Sequence, residues 1–288
     1  MIQWYPGHMA KAKRILKKDL SLVDLVIETI DARIPKSSKN PDLNEIIKNQ
    51  NKIVVLNKMD LADDNLNKNW IEHINKETDA VLINSITGEG ASRLKSLLNN
   101  KYDIISKKLS QKGRKARQIR AMIIGVPNVG KSALINILAG SKIVTIGDKP
   151  GITRGRQWIN IDKKVKLLDT PGILWPKFSD EDTAYKLAVT GAVDNDIFDF
   201  ELASYKLIKF IRDINADFLK EFYNIDFGQE HPYDILPMIA KKRGCIMSGG
   251  KVDRNRASQL LINDFRRGKL GKITLEKPGD DSDDLSVS

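Results

Sequence analysis

Cysteine is almost missing: Cys245 stands alone in 288 residues. A lone thiol excludes an intramolecular disulfide and any multi-cysteine zinc site, and it suits a reducing compartment. Aromatic residues reach only 6%, and no apolar run approaches the roughly 20 residues that a membrane span needs. The opening Met1-Ile2-Gln3-Trp4-Tyr5-Pro6-Gly7 carries no apolar secretory core. Together these absences read as a cytoplasmic protein with no membrane partner. Acidic residues are outnumbered, 37 Asp and Glu against 48 Lys and Arg, for a formal charge of +11. That excess points to a polyanionic partner. What is present, 41% hydrophobic and 30% charged residues, is the composition of a packed chain, and the length suits about two domains.

Through residue 175, short apolar runs alternate with helical patterns. Leu25–Asp31, Ile53–Leu56, Ala80–Ile83, Ala121–Gly125 and Val165–Asp169 are mostly continuous aliphatic runs, the pattern of parallel strands buried on both faces. Leu66–Lys76 and Ala91–Lys108 carry helical spacing between them. Such alternation predicts an open parallel α/β sheet. After Pro176 the texture changes. Tyr205, Ile208 and Ile211, then Ala257, Leu260, Leu261 and Phe265, recur at helical spacing with no convincing strand. The chain thus divides into an α/β domain over 1–178, with an N-terminal basic helix, and a smaller all-helical domain over 179–275. Residues 276–288, with Asp280, Asp281, Asp283 and Asp284, read as a disordered acidic tail.

Gly125-Val126-Pro127-Asn128-Val129-Gly130-Lys131-Ser132 fits G-x-x-x-x-G-K-[ST], between an apolar run and the helical pattern that starts at Ala133. That strand-loop-helix context identifies a P-loop. Its glycines let the backbone wrap closely around phosphate, and the helix N-terminus adds positive potential. Asn128, Val129, Gly130 and Ala133 belong to this cradle; Lys131 would reach the β- and γ-phosphates, and Ser132 would ligate Mg²⁺. Asp169-Thr170-Pro171-Gly172 follows a strand. Asp169 is placed to hold Mg²⁺ through water, and Gly172 to offer its amide to a γ-phosphate. Alone, D-x-P-G is also an ordinary turn.

Asn57-Lys58-Met59-Asp60 ends another strand. A carboxylate there can accept from the two N–H groups of guanine, which rejects adenine through unpaired groups. Ser85-Ile86-Thr87 can supply a backbone amide to the guanine oxygen. Pro150-Gly151-Ile152-Thr153-Arg154-Gly155 lies where a switch loop belongs, with Thr153 either capping Mg²⁺ or lying in a plain turn.

The order of these pieces is unusual, because the guanine-reading segments precede the phosphate-binding ones. An open sheet tolerates joining its old termini and cutting elsewhere, since chain ends often lie close together. The fold class expected is therefore α/β, a P-loop GTPase domain with circularly permuted motif order, followed by the helical domain. In this order the γ-phosphate sensor leads directly into the helical domain, so nucleotide state should set the domain orientation.

Trp4-Tyr5-Pro6-Gly7-His8-Met9, Asp31-Ala32-Arg33-Ile34-Pro35 and the permuted motifs resemble the circularly permuted GTPases of the YlqF type. The likeness continues through Gly244-Cys245, Gly249-Gly250, Asp253 and Gly268-Lys269-Leu270-Gly271. It implies GTP hydrolysis, stimulated by the ribosomal particle and coupled to late maturation of the large ribosomal subunit. It also implies that the helical domain contacts ribosomal RNA. Ile173 stands where many small GTPases keep a water-orienting Gln. The family gives that catalytic task to the histidine of the N-terminal motif, here His8, which could alternatively cap a basic helix. Asn128 matches the asparagine that holds K⁺ against the phosphates in potassium-activated GTPases, so K⁺ joins Mg²⁺ as an expected cofactor. A loop-stabilising Asn is the alternative.

Three clusters hold most of the positive charge: Lys11 to Lys18, Lys101 to Arg120 and Lys241 to Lys272. Without an RNP-type aromatic signature, they predict recognition of RNA shape and backbone. The expected partners are GTP, GDP and the large-subunit precursor with its rRNA, met by a monomer. A different class of function stays open: an RNA-binding placeholder in which nucleotide only locks conformation.

Overall fold

Runs too apolar to face water on either side build the sheet. In this computed structural model the described residues are 14–48, 50–115, 117–144, 157–170 and 180–279. His8, Thr153, Gly172, Lys11, Lys13 and the chain from Asp280 onward lie outside the described residues. A helix over 14–20 (α1) leads into β1 (Leu25–Asp31), α2 (Pro41–Ile47), β2 (Lys52–Asn57), α3 (Asp64–Asn75) and β3 (Ala80–Ile83). Then follow α4 (Ala91–Gln111), β4 (Ile119–Ile124), α5 (Lys131–Ala139), β5 (Gln157–Asn160) and β6 (Val165–Asp169). The strands lie in the order β3-β2-β1-β4-β6-β5. All neighbours are parallel except β5, which runs antiparallel to β6.

All seven residues of β1 are buried, as expected of a strand covered on both faces. Side chains alternate between the faces. Ile27, Ile53 and Val55 pack with Leu94, Leu98, Leu134 and Leu138 of α4 and α5. On the other face Val26 meets Leu16, Leu20, Leu43 and Ile47 of α1 and α2, while Ile30, Val54 and Leu56 meet Trp70 and Ile74 of α3. Three predicted strands match in full at Leu25–Asp31, Ala80–Ile83 and Val165–Asp169. β4 stops at Ile124 rather than Gly125, because Gly125 turns away with φ 154. β5 went unpredicted: Trp158 and Ile159 are its only apolar residues, too few to register as a period.

The second half is helical: α6 (Glu181–Thr190), α7 (Phe200–Asn215), α8 (Asp217–Tyr223), α9 (Pro232–Lys242) and α10 (Arg254–Arg266). Asp180, Asp199 and Asp253 cap α6, α7 and α10 by accepting from first-turn amides, satisfying donors that a helix start leaves open. Among the described residues its strand-like pairing is one isolated bridge, Ile246 to Val252. Leu187, Leu207, Ile208, Ile239 and Leu261 form its core, and that core also takes in Ile34, Val126 and Val129 from the sheet half.

The chain then returns to the sheet half. Ile273 donates its amide to Leu61 O (3.1 Å), Leu275 to Arg33 O (2.8 Å), and Trp70 Nε1 donates to Glu276 O (3.1 Å). The Glu276 carboxylate accepts from the amides of Lys36 (2.7 Å) and Ser37 (3.1 Å) and pairs with Lys186 (3.2 Å). The expected tail boundary therefore moves: Glu276 is 7% exposed and belongs to the packed body. Its carboxylate, read from sequence as tail charge, has bonding partners more than 200 residues away.

A buried charge cluster links both halves. Arg33, 1% exposed, grips Asp31 through Nε (2.9 Å) and Nη2 (2.7 Å), and Nη2 also donates to Thr190 O (3.3 Å). Lys58 Nζ lies 3.0 Å from the same carboxylate. Burial alone would raise the Asp31 pKa, but the charges of Arg33 and Lys58 outweigh it and hold the carboxyl well below its usual range. Arg33→Ala should cost about 3–5 kcal/mol by stripping a buried pair of one member, read as a lower urea midpoint. The depressed pKa makes the contribution full above about pH 4 and progressively lost below it. The gap between variant and parent should therefore shrink as acid is added.

Candidate nucleotide-binding site

The loop from β4 to α5 depends on its glycines. A Cβ on Gly125 would lie 2.3 Å from Thr29 O, and one on Gly130 would lie 2.1 Å from Asn57 Nδ2. Gly130, at φ 100, caps α5, so the first-turn amides of α5 follow the loop directly, an anion-binding arrangement. Lys131 opens α5 and is 8% exposed; its Nζ donates to the carbonyls of Gly125 (3.2 Å) and Val126 (2.9 Å). Burial pulls its pKa down to about 8, against the opposing charge of Asp169.

Asp169 ends β6, which pairs with β4. It is 2% exposed, and its Oδ1 is buried with no hydrogen-bond partner among the described residues. Burial raises its pKa, with Lys131 opposing. The Ser132 hydroxyl likewise makes no hydrogen bond among the described residues. An orphaned carboxylate oxygen and a free hydroxyl are hard oxygen donors, and they fit Mg²⁺. No cluster of three metal-ligating side chains occurs among the described residues. A P-loop site does not require one, because substrate phosphates complete its coordination.

On the other side, Asn57 ends β2 fully buried. Its Nδ2 donates to Ser85 Oγ (2.9 Å) and Val129 O (2.7 Å), and its Oδ1 accepts from Ser85 N (3.1 Å). One amide thereby ties together three segments remote in sequence. Lys58 adopts a left-handed conformation, φ 61, which turns the chain into the short helical turn Met59–Leu61. The Asp60 side chain has no hydrogen bond or ion pair among the described residues.

Asn84 was missed in the sequence. Its Oδ1 accepts from the amides of Ile86 (2.9 Å) and Thr87 (3.2 Å), an Asx turn that the run Asn84-Ser85-Ile86-Thr87 could have signalled. Consequently the amides of Ser85 and Ile86, expected to face a ligand, are held by Asn57 and Asn84.

Asn57, Lys58, Asp60, Ser85, Ile86, Asn128, Gly130 and Ala133 line one cavity of about 720 Å³, within the usual range for small-molecule sites. Segments at 57–60 and 85–86 thus meet the loop that follows them in sequence. Lys131, Ser132 and Asp169 do not line it, and Val129 is buried at 1% exposure in the helical core. Asn128, at φ 55, donates from Nδ2 to Gly191 O (2.8 Å) at the end of α6. Its side chain therefore ties the loop to the helical half rather than only to itself. Asn57→Ala would strand Val129 O and Ser85 N inside the protein, at about 1–3 kcal/mol for each orphaned group. A thermal melt should show the loss without any ligand present.

A family model described as 50S ribosome-binding GTPase matches residues 120–224. Ribosome biogenesis GTPase A of Bacillus cereus is 45% identical over 283 residues, 96% of this chain and 94% of that protein. The Thermotoga maritima protein of the same name is 36% identical, covering 97% of this chain and 95% of its own length. A GDP-bound YlqF structure matches with a TM-score of 0.68 at 29% identity, over 93% of this chain and all of that one. GNP-bound YlqF from T. maritima gives 0.64 at 30%, over 94% of this chain. With such likeness along nearly its full length, the chain belongs to the ribosome biogenesis GTPase A (YlqF) family and is a GTPase.

Proposed function

We propose that this protein hydrolyses GTP as an assembly factor in late maturation of the large ribosomal subunit, and that it binds rRNA through its basic surfaces. The observation that carries the reading is the Asn57 amide, which gathers a guanine-type motif and a phosphate loop around one cavity. Asp60 reads guanine, with Asn57, Lys58, Ser85 and Ile86 shaping the pocket around the base. Gly130, Lys131, Ser132, Val129 and Ala133 form the phosphate cradle, and Gly172 offers an amide to the γ-phosphate. Ser132, Thr153 and Asp169 would hold Mg²⁺, which would supply charge neutralisation on the phosphates. Asn128 would hold K⁺, which would supply positive charge against the phosphates, and His8 orients the attacking water.

The helical half over 179–275 serves RNA. Lys241, Lys242, Arg243, Lys251, Arg254 and Arg256 are all exposed there, and so are Arg14 and Lys17 on α1. Phosphate contacts by such residues make binding fall steeply with salt. The names of the relatives support the ribosomal partner, the reducing-compartment composition supports a cytoplasmic location, and the protein acts as a monomer.

GTP turnover should rise when large subunits are added, and should be faster in K⁺ than in Na⁺. His8→Ala should lower stimulated turnover by about 100-fold or more with GTP affinity kept. Turnover indifferent to particles would favour the placeholder function instead. Nucleotide phosphate should also raise the Lys131 pKa from about 8, so binding above that pH takes up a proton. GDP affinity should be about tenfold weaker at pH 9 than at pH 7, measured by calorimetry in buffers of differing ionisation heat.

A further inference from the structure

The cavity has a second wall, and it comes from the helical half: Gly191 at the end of α6, Asn195 beyond it, and Asn263, Arg266 and Arg267 at the end of α10. Building on the reading of this cavity as the nucleotide site, we propose that Arg267 is a nucleotide contact. Its guanidinium packs on the guanine across from the Asp60 turn, so the ligand is held between the two halves of the molecule.

Placement is the first argument. A Cβ on Gly268 would lie 2.7 Å from Leu61 Cδ2, and Ile273 bonds to Leu61 O. The end of α10 therefore sits on the turn that carries Asp60. The phosphate loop meets the helical half at Gly191, against the Arg266 side chain rather than the Leu61 contact of Gly268. Arg267 thus stands at the guanine-reading end of the cavity.

Availability is the second. Four cationic residues line the cavity: Arg33, Lys58, Arg266 and Arg267. Arg33 and Lys58 are bound to Asp31. Arg266 donates to Val189 O (3.1 Å), Ala188 O (2.7 Å) and Asn195 Oδ1 (3.1 Å). The Arg267 side chain, by contrast, makes no hydrogen bond or ion pair among the described residues, and neither does Asp60. Three carboxylates, Asp60, Asp194 and Asp196, line the same cavity, and none of them joins Arg267. A purine fits that pattern, with its N–H edge on the Asp60 carboxylate and its face under the planar guanidinium. On this assignment Arg266 and Arg267 leave the RNA-facing cluster in which charge counting placed them. Nucleotide binding and seating of the helical half then reinforce each other.

The test uses the full chain and a fluorescent GDP analogue, with Arg267→Ala, Arg267→Lys and Asp60→Ala compared with the parent. Arg267 is exposed and unpaired, so its variants should keep the parent urea midpoint. Arg267→Ala should weaken GDP by roughly three- to thirtyfold. Arg267→Lys should recover only part of that, since an ammonium keeps the charge and loses the plane. GDP should also slow hydrogen exchange at amides 263–268 in the parent but not in Arg267→Ala. Parent-like GDP affinity in Arg267→Ala, alongside its loss in Asp60→Ala, would overturn the proposal and leave the site standing. Parent-like affinity in both variants would remove the nucleotide reading of the cavity itself.

Discussion

A carboxylate at the end of a central strand is the constraint on which the rest hangs. Desolvating Asp31 is costly unless cations replace its water, and Arg33 and Lys58 are the replacements. Each cation then has a second consequence. Lys58 reaches Asp31 from a left-handed backbone position, and the turn bearing Asp60 starts there. Arg33 reaches past Asp31 to the last carbonyl of α6 and lies 5.3 Å from the Phe265 ring centroid. One buried negative charge thus fixes both the turn that bears Asp60 and the seat of the helical half.

The phosphate loop is shared in the same way. Val126 and Val129 are buried in the core of the helical half, and Asn128 bonds to the end of α6. Asn57 holds the loop from the other side through Val129 O. The loop conformation and the position of the helices are therefore not independent variables, although no sequence motif spans both.

Much of this was legible along the chain because it is local. Continuous aliphatic runs gave away the buried strands, and the eight residues from Gly125 to Ser132 carry their own geometry. β5 was not legible, since an edge strand of four residues leaves no period to detect. Glu276 was misjudged because its partners lie across the fold, and the Arg33 motif shows its near partner Asp31 but not its reach to Thr190 O. The Glu276 carboxylate looks like tail charge until Lys36, Ser37 and Lys186 are seen around it. Asn57 was recognised as part of a motif, but its three bonds to other loops depend on long-range convergence. Charge counting also carries no direction, and so Arg266 and Arg267 were grouped with lysines that face solvent.

The return of residues 273–276 to the sheet half changes the mechanics of the molecule. A body pinned at a single point can turn any way, whereas one pinned at two rotates only about the line between them. Here one pin is the meeting of Arg33 with the end of α6, and the other is the clasp of the returning segment on Leu61, Trp70 and Ser37. The core shared with Ile34, Val126 and Val129 opposes even that rotation, so the helical half is clamped to the sheet half rather than hung from it.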